Sequence, residues 1–406
     1  MAMYSPSAIE RVAVVGGGTI GASWAALFLS RGLQVTLTDP APGAEAIVRE
    51  RIAHAWENLP EILPHALTPQ DLRFEADLER GLAGAQFVQE NAPEREAFKI
   101  ELFQRMDALL PPEVIIASSS SGLLMTRVQS ACAHPERCLI GHPFNPPHLI
   151  PLVEVVGGER TSPAAMDAAM AFYKAIGKYA IRLHKEVPGH IANRLQAALW
   201  REATHLAAEG VASVADIDAA ISQGPGLRWA LFGPHMTFNL GGGEGGMNHF
   251  LDHLWEPMQK WWDDLGNPQL TDELRTLLVQ GVNAEAQGRS IAELARERDQ
   301  RLLALLAMKA RPTAAPKPQI QHLAEIGRFE LIIEGHVCEL DYQRENKIMT
   351  ITHTGVPPAL GGRGIAAELT EFALKTARDN GWKVRPQCSY AAAYFKRHPE
   401  HADLLA

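Results

Sequence analysis

The chain has 406 residues, a hydrophobic content of 46% and a formal net charge of −9 at pH 7. This length exceeds what one ordinary core accommodates, so we expect two or three domains. The acidic balance argues against a nucleic-acid-binding protein, which needs a basic surface. No apolar run reaches membrane-spanning length, and the N-terminus carries no signal-peptide core. The four cysteines are scattered without metal-ligand spacing and suit a reducing compartment. We therefore predict a cytoplasmic protein with no membrane partner, no nucleic-acid partner and no metal.

The first elements form a β-α-β unit. Residues 11–15 are continuously apolar and predict a buried strand, which runs into a glycine-rich turn at 16–21. An apolar helix is predicted over 22–29, and a second strand over 34–39. Such units pair their strands in parallel through a right-handed crossover.

Later strands alternate with helices and extend the same pattern. They are predicted at 85–89, 114–117, 138–141 and 152–156. Residues 1–184 therefore predict an α/β domain with a doubly wound, Rossmann-type parallel sheet.

The remainder of the chain divides into three parts. Residues 185–310 show helical patterns with few β-branched runs and predict an all-α domain. Residues 311–324 begin with a proline-rich stretch and predict a linker. Residues 325–406 predict a small α+β domain, with strands at 328–333 and 347–352 and a helix at 365–380.

The glycine-rich turn predicts a dinucleotide site. In its G-x-G-x-x-G pattern, Gly16 makes the tight turn, Gly18 admits the pyrophosphate, and Gly21 lets the helix pack on the strand. Asp39 ends the second strand and can accept hydrogen bonds from the ribose hydroxyls. No Arg or Lys lies in 40–43 to meet a 2′-phosphate, so NAD is favoured over NADP. The predicted cofactor-binding residues here are Gly16, Gly18, Thr19, Ile20, Gly21 and Asp39.

Polar residues downstream predict an alcohol-oxidising site. His142 lies on a proline-braced turn, and Glu154 follows it by twelve residues. A histidine beside a carboxylate can remove the proton of an alcohol while hydride leaves to NAD. The serine-rich run at 117–122 follows a strand, where doubly wound folds place their ligands.

The order and spacing of these residues resemble the 3-hydroxyacyl-CoA dehydrogenase superfamily, over residues 8 to about 308. The resemblance implies that His142 is the base, that Glu154 is its partner, and that Ser121 and Asn193 donate hydrogen bonds to the substrate oxygen. By their position after a strand, three further residues are predicted to lie near the nicotinamide or its ribose, namely Glu90, Asn91 and Lys99. The resemblance also implies a homodimer.

Within that superfamily, several segments are most similar to L-carnitine dehydrogenases. These segments are 87–96, 118–125, 185–196, 224–230 and 240–246. The resemblance implies oxidation of the 3-hydroxyl of carnitine to 3-dehydrocarnitine with NAD. Another 3-hydroxy acid or a 3-hydroxyacyl-CoA is the alternative substrate, and a non-catalytic NAD-binding structural protein is the alternative class.

A trimethylammonium group cannot donate hydrogen bonds, so its sites use aromatic faces. The candidates for this contact are Phe144, Trp229 and Phe232, each of which is otherwise an ordinary packing residue. The substrate carboxylate needs a cationic partner, and the sequence leaves Arg194, Arg201 and Arg228 open.

The C-terminal segment 352–366 ends a strand, turns and opens a helix, as a pyrophosphate loop does. It resembles GCN5-related N-acetyltransferases over residues 325–406, although Gly361 stands where their general pattern has Arg or Gln. The resemblance implies an acetyl-CoA site at Gly362, Arg363, Gly364, Ala366 and Cys388. The candidates for acetyl-transfer chemistry are Cys388, Tyr394 and His353. Binding of acetyl-CoA without transfer, and acetyl transfer as the main activity, both remain open.

Overall fold

The computed structural model describes residues 3–5, 8–310 and 319–406. They fall into two compact units, one ending at Ala310 and the other made by the residues from 319 onwards. The proline-rich part of the predicted linker, 311–318, lies outside the described residues. The predicted boundary between residues 184 and 185 lies inside the first unit and stays a prediction.

The first unit contains an eight-stranded sheet in the order β3-β2-β1-β4-β5-β6-β7-β8. Its strands are β1 (Arg11–Val15), β2 (Gln34–Thr38), β3 (Arg73–Glu75), β4 (Phe87–Glu90), β5 (Ile115–Ser118), β6 (Cys138–Pro143), β7 (Leu152–Gly157) and β8 (Tyr179–Leu183). The α/β fold class and the Rossmann-type arrangement are confirmed.

One pairing near the edge of the sheet is antiparallel, which the sequence did not indicate. The first six strands are parallel, whereas β7 pairs with β6 in the antiparallel sense and β8 follows β7 in parallel. The link from β6 to β7 is a short proline-containing turn, and so short a connection returns the chain antiparallel. Strands β3 and β8 were not predicted, because both are short and only partly buried.

Helices cover both faces of this sheet. Alternate residues of β1 show the two layers: Val12 and Val14 pack with one apolar cluster, and Ala13 and Val15 pack with the other. The flanking helices are α1 (Thr19–Ser30), α2 (Ala44–Glu57), α3 (Leu78–Leu82), α4 (Glu96–Leu109), α5 (Met125–Val128) and α6 (Pro163–Ala175). Burial on both faces explains why the strands read as continuous apolar runs.

The rest of the first unit is helical, as predicted. Its helices are α7 (Ala192–Ala208), α8 (Val214–Ser222), α9 (Pro225–Trp229), α10 (Pro234–Gly241), α11 (Gly246–Asp264), α12 (Asp272–Ala286) and α13 (Ile291–Ala310). They bury few large side chains: α11 has 19 residues and buries only Phe250.

The second unit is a five-stranded sheet in the order β13-β12-β11-β10-β9, with two helices. Strands β9 to β12 are antiparallel neighbours, whereas β12 and β13 are parallel. The elements are β9 (Gln321–Leu323), β10 (Arg328–Ile333), β11 (His336–Glu345), β12 (Ile348–Gly355), α14 (Ile365–Asp379), β13 (Lys383–Pro386) and α15 (Ser389–Arg397). Both helices pack their apolar residues into one core with the sheet. The predicted α+β class is confirmed.

Within the described residues, every helix is too short or too polar to cross a membrane.

Candidate active site

His142 and Glu154 form a directly opposed pair across β6 and β7. The imidazole Nδ1 and the carboxylate Oε2 are 2.8 Å apart, and both side chains are buried. The twelve-residue spacing seen in the sequence is therefore the spacing of a cross-strand pair joined by a turn. Because an ionised carboxylate only accepts hydrogen bonds, Nδ1 carries a hydrogen, and in the neutral form of the ring the lone pair is then on Nε2.

The other oxygen of Glu154 faces the start of α7. Its Oε1 accepts hydrogen bonds from the backbone N–H groups of Ile191, at 2.9 Å, and Ala192, at 3.0 Å. Burial alone would raise the pKa of Glu154, but the hydrogen bonds from His142, Ala192 and Ile191 outweigh it and lower this pKa. Glu154 is thus a fixed negative charge beneath the imidazole.

The serine-rich loop after β5 is held by Glu94, a residue not predicted from the sequence. Its Oε1 accepts from the Ser120 hydroxyl at 2.5 Å, from the Ser121 N–H at 3.0 Å and from the Gly122 N–H at 3.1 Å. Burial raises the pKa of Glu94, but these hydrogen bonds and the charge of Lys99 outweigh it and lower the pKa. The sequence marks Glu94 only as an acidic residue that follows a proline a few positions after β4.

Ser121 and Asn193 meet at the mouth of the site. The Asn193 side-chain amide donates to the Ser121 carbonyl at 3.2 Å. The Ser121 residue is exposed, and its hydroxyl has no hydrogen bond to another residue in the described parts of the chain. The structure therefore brings together two of the four predicted catalytic residues at the serine loop and the other two across the strands.

Glu90 and Lys99 form a buried ion pair behind the serine loop. The Lys99 Nζ lies 2.7 and 2.8 Å from the two carboxylate oxygens, and neither side chain is more than 1% exposed. The Ser118 hydroxyl donates to the same carboxylate at 2.5 Å. Asn91 accepts from the Ser119 hydroxyl at 2.7 Å. These contacts place the three residues around the loop; their contact with a cofactor stays a prediction.

The glycine turn has the features of a phosphate site. Gly16 has φ +95°, a region that favours glycine. A Cβ on Gly21 would lie 1.9 Å from the Gly16 carbonyl oxygen, so only glycine allows α1 to approach β1 this closely. A Cβ on Gly18 would meet nothing within 4 Å, which leaves open space at the N-terminus of α1. Thr19 and Ile20 are the first residues of α1. Open backbone at a helix N-terminus fits a pyrophosphate.

Asp39 lies at the end of β2 beside this turn. Its two oxygens accept from the Gly17 N–H at 2.8 Å and from the Ala41 N–H at 2.9 Å. These bonds fix the direction of a half-buried carboxylate, and they leave lone pairs free for ribose hydroxyls.

Of the predicted substrate residues, only Phe144 lies beside the histidine. Its ring centroid is 5.4 Å from that of His142, in an edge-on arrangement. Trp229 and Phe232 are 37% and 51% exposed in the helical region, and no contact joins either ring to His142 in the described residues. Their role in substrate binding stays a prediction.

His190, which was not among the predicted site residues, also lies beside His142. Its ring centroid is 5.2 Å from that of His142, and it is buried. No sequence pattern indicates this contact, because the two residues are 48 positions apart and come from different elements.

The predicted acetyl-CoA residues lie around one end of β12 and β13. Gly362 and Gly364 have φ +78° and +80° with open space around them, and Gly364 caps α14. Arg363 is exposed and pairs with Glu334 at 2.9 Å, and Ala366 lies in the first turn of α14. Cys388 caps α15, with its Sγ 3.7 Å from the Thr354 hydroxyl. Burial raises the pKa of Cys388, but hydrogen bonds from Ala391, Thr354 and Tyr390 outweigh it and lower the pKa.

Among the described residues, no group of three or more His, Cys, Asp or Glu side chains is arranged to hold a metal ion.

Models of three protein families match the chain. Residues 11–187 match the NAD binding domain of 3-hydroxyacyl-CoA dehydrogenase, and residues 189–274 match its C-terminal domain. Residues 328–404 match the GCN5-related N-acetyl-transferase family.

Among characterised relatives, the chain is 51% identical to an L-carnitine dehydrogenase of Streptomyces coelicolor, over 76% of this chain and 98% of that protein. It is also 51% identical to an L-carnitine dehydrogenase of Streptomyces griseus, over 76% of this chain and 92% of that protein. Among solved structures, it is similar to FHMPC 5-dehydrogenase, an NAD+ dependent dismutase, with a TM-score of 0.65 and 30% identity, over 75% of this chain and 100% of that one.

The glycine turn gives a matched pair of variants. Gly18→Ala adds a methyl group in open space, so we expect unchanged folding stability but an affinity for NAD weakened by about tenfold or more. Gly21→Ala forces α1 away from β1, so we expect a loss of about 1–3 kcal/mol in the free energy of unfolding. Urea unfolding and calorimetric NAD titration measure the two effects. Native NAD affinity in Gly18→Ala would show that the pyrophosphate lies elsewhere.

Proposed function

The chain belongs to the L-carnitine dehydrogenase family, and from this we propose that it oxidises the 3-hydroxyl of L-carnitine to 3-dehydrocarnitine with NAD. The observation that carries the proposal is the buried His142–Glu154 pair, which shares one compact unit with the serine loop and the glycine turn. NAD would be held by the glycine turn and by Asp39, and it would accept the hydride from C3 of the substrate.

His142 acts as the general base. Because its Nδ1–H is directed at Glu154, the Nε2 lone pair is available for the hydroxyl proton. Glu154 then faces an imidazolium, and its fixed negative charge stabilises that form. The two amide bonds from α7 keep this carboxylate in place while the proton moves.

Ser121 and Asn193 stabilise the substrate oxygen. The free Ser121 hydroxyl and the second N–H of the Asn193 amide both donate toward the cleft in this proposal. Their hydrogen bonds strengthen as the C–O bond gains carbonyl character, which lowers the barrier. Phe144 offers an aromatic face next to the base for the trimethylammonium group.

Two substitutions test this mechanism. His142→Asn removes the base, and we expect kcat for L-carnitine to fall by about 10²- to 10⁴-fold, with NAD affinity unchanged. Glu154→Gln keeps the shape but removes the charge that stabilises the imidazolium, so we expect kcat to fall by about 10²-fold or more. NADH formation at 340 nm measures turnover, and calorimetry measures NAD binding.

The substrate is tested in parallel by comparing L-carnitine, 3-hydroxybutyryl-CoA and 3-hydroxy-5,5-dimethylhexanoate. The last compound replaces the ammonium nitrogen of carnitine with carbon, so it has the same shape and an uncharged head group. We expect turnover to be fastest with carnitine. Faster turnover of the CoA ester would assign the chain to acyl-CoA oxidation, and no NADH with any compound would contradict a dehydrogenase.

We propose that the chain forms a homodimer through its helical region. Trp200 on α7 and Trp261 on α11 are 67% and 66% exposed, and Trp255 and Trp262 of α11 pack on each other while each stays about half exposed. Apolar surface of this extent on one protomer is characteristic of an interface. In such a dimer each subunit covers the same helices of the other, as a two-fold interface requires.

Sedimentation velocity tests the dimer. We expect a mass about twice the 44.4 kDa of one chain, and a shift to monomer in Trp200→Glu because a charge is then buried at the interface. Ile332→Glu is the control, because Ile332 is 53% exposed on the other unit. A monomeric native chain would contradict the proposal.

We propose that the C-terminal unit binds acetyl-CoA. Three features fit a pyrophosphate there: two positive-φ glycines in open space, an α14 N-terminus without a side-chain cap, and the exposed Arg363. Cys388 stands at the start of α15, where its lowered pKa favours the thiolate that would receive an acetyl group.

Reversing the charge at this loop tests the CoA site. Arg363→Glu places a carboxylate beside the phosphates, so we expect the affinity for acetyl-CoA to fall by about tenfold or more. Lys347→Glu is the control, because Lys347 is exposed just before the opposite end of β12. Calorimetry with acetyl-CoA measures both. No binding by the native chain would contradict the proposal, while carnitine oxidation should be unaffected in either variant.

A further inference from the structure

His190 occupies an unusual backbone position at the entry to α7. Gly189 and His190 have φ +76° and +52°, so two consecutive residues adopt the left-handed conformation. A non-glycine residue rarely adopts this region. After this turn the next two backbone N–H groups, of Ile191 and Ala192, both reach Glu154. The strained turn therefore sets the position of the carboxylate that orients His142.

The imidazole of His190 reaches the opposite wall of the site. Its Nε2 lies 3.1 Å from the Ser120 carbonyl oxygen. A carbonyl oxygen only accepts hydrogen bonds, so Nε2 must carry a hydrogen, and in the neutral form of the ring Nδ1 then holds the lone pair. Three residues further on, Asn193 donates to the next carbonyl of the same loop, that of Ser121. Residues 190–193 thus bind Glu154 with two amides and the serine loop with two side chains.

The charge of His190 matters because it lies beside the base. The imidazole is only 1% exposed, and its Nδ1 has no hydrogen-bond partner in the described parts of the chain. The titratable groups around it are His142 from β6, Glu154 from β7 and Glu94 from the loop after β4. Burial lowers the pKa of His190, although the Ser120 carbonyl and the two carboxylates oppose this shift.

We propose that His190 is a positioning residue of the dehydrogenase reaction: as a neutral imidazole it fixes the serine loop relative to His142 and excludes a second positive charge from the site. This inference rests on the proposed carnitine oxidation. During that reaction His142 becomes an imidazolium, and both the oxidised nicotinamide and the trimethylammonium group are cationic. A protonated His190 would repel all three and would place a buried N–H without an acceptor.

Two substitutions separate the hydrogen bond from the charge. His190→Phe keeps a ring but removes the donor, so the serine loop loses one anchor, and we expect kcat to fall by about tenfold to a hundredfold. The KM for NAD should stay within about threefold, because the glycine turn is untouched.

His190→Gln keeps an N–H for Ser120 and cannot be protonated, so we expect kcat within about threefold of the native value. His205→Gln, at the far end of α7, is the control.

The pH profile of kcat/KM for L-carnitine gives a readout that mere structural damage does not produce. The proposal requires an unprotonated base and a neutral His190 for turnover, so the native acid limb should steepen toward a slope of two at its low-pH end. In His190→Gln only one group titrates, so the limb should keep a slope of one. Identical limbs in the two proteins would overturn the proposal. So would native kcat in His190→Phe, or a loss in His190→Gln as large as in His190→Phe.

The tautomer tests the inference independently of activity. In protein labelled with ¹⁵N-histidine, the signals absent from His190→Gln should report a neutral ring protonated on Nε2 at pH 7. A charged ring or an Nδ1–H tautomer would overturn the proposal. If the native chain does not oxidise carnitine, the proposed function fails, while this measurement still decides the state of His190.

Discussion

The carboxylate of Glu154 joins the two halves of the dehydrogenase unit. One oxygen holds His142 across the sheet, and the other accepts two backbone amides at the start of α7. A buried carboxylate needs this number of donors, because an unpaired charge in the interior is strongly destabilising. The same bonds fix where the helical region begins relative to the sheet. The position of the His142 imidazole and the docking of the helices are therefore set by one ionised group.

The sheet and the chemistry of its edge were largely predictable from the sequence. Strands buried on both faces are continuous apolar runs, and a glycine turn between strand and helix has few alternative explanations. The pairing of His142 with Glu154 was predicted from the resemblance to 3-hydroxyacyl-CoA dehydrogenases. The structure explains the twelve-residue spacing, because the two residues are directly opposed in the antiparallel pairing of β6 with β7. That register itself was not predicted, because the direction of the seventh strand depends on a turn whose path is not encoded by periodicity.

The support around the catalytic groups was less accessible to sequence reasoning. Glu94 and His190 act on the serine loop through its backbone, and backbone contacts leave no residue pattern at a fixed spacing. Both residues come from loops that precede helices, far from Ser120 along the chain. Trp229 and Phe232 are partly exposed in the helical region, and their contact with a substrate stays a prediction.

The ion pair between Glu90 and Lys99 couples two positions of the fold. Both side chains are buried, and the carboxylate also accepts from Ser118 and from the Ala92 amide. Removing one partner of such a pair leaves a solitary charge inside the protein, at a cost of about 3–5 kcal/mol, whereas replacing both by apolar groups is often neutral. A single substitution at either position would therefore give a weakly folded protein, whereas a paired apolar substitution need not, so the stability effects of the two positions are coupled.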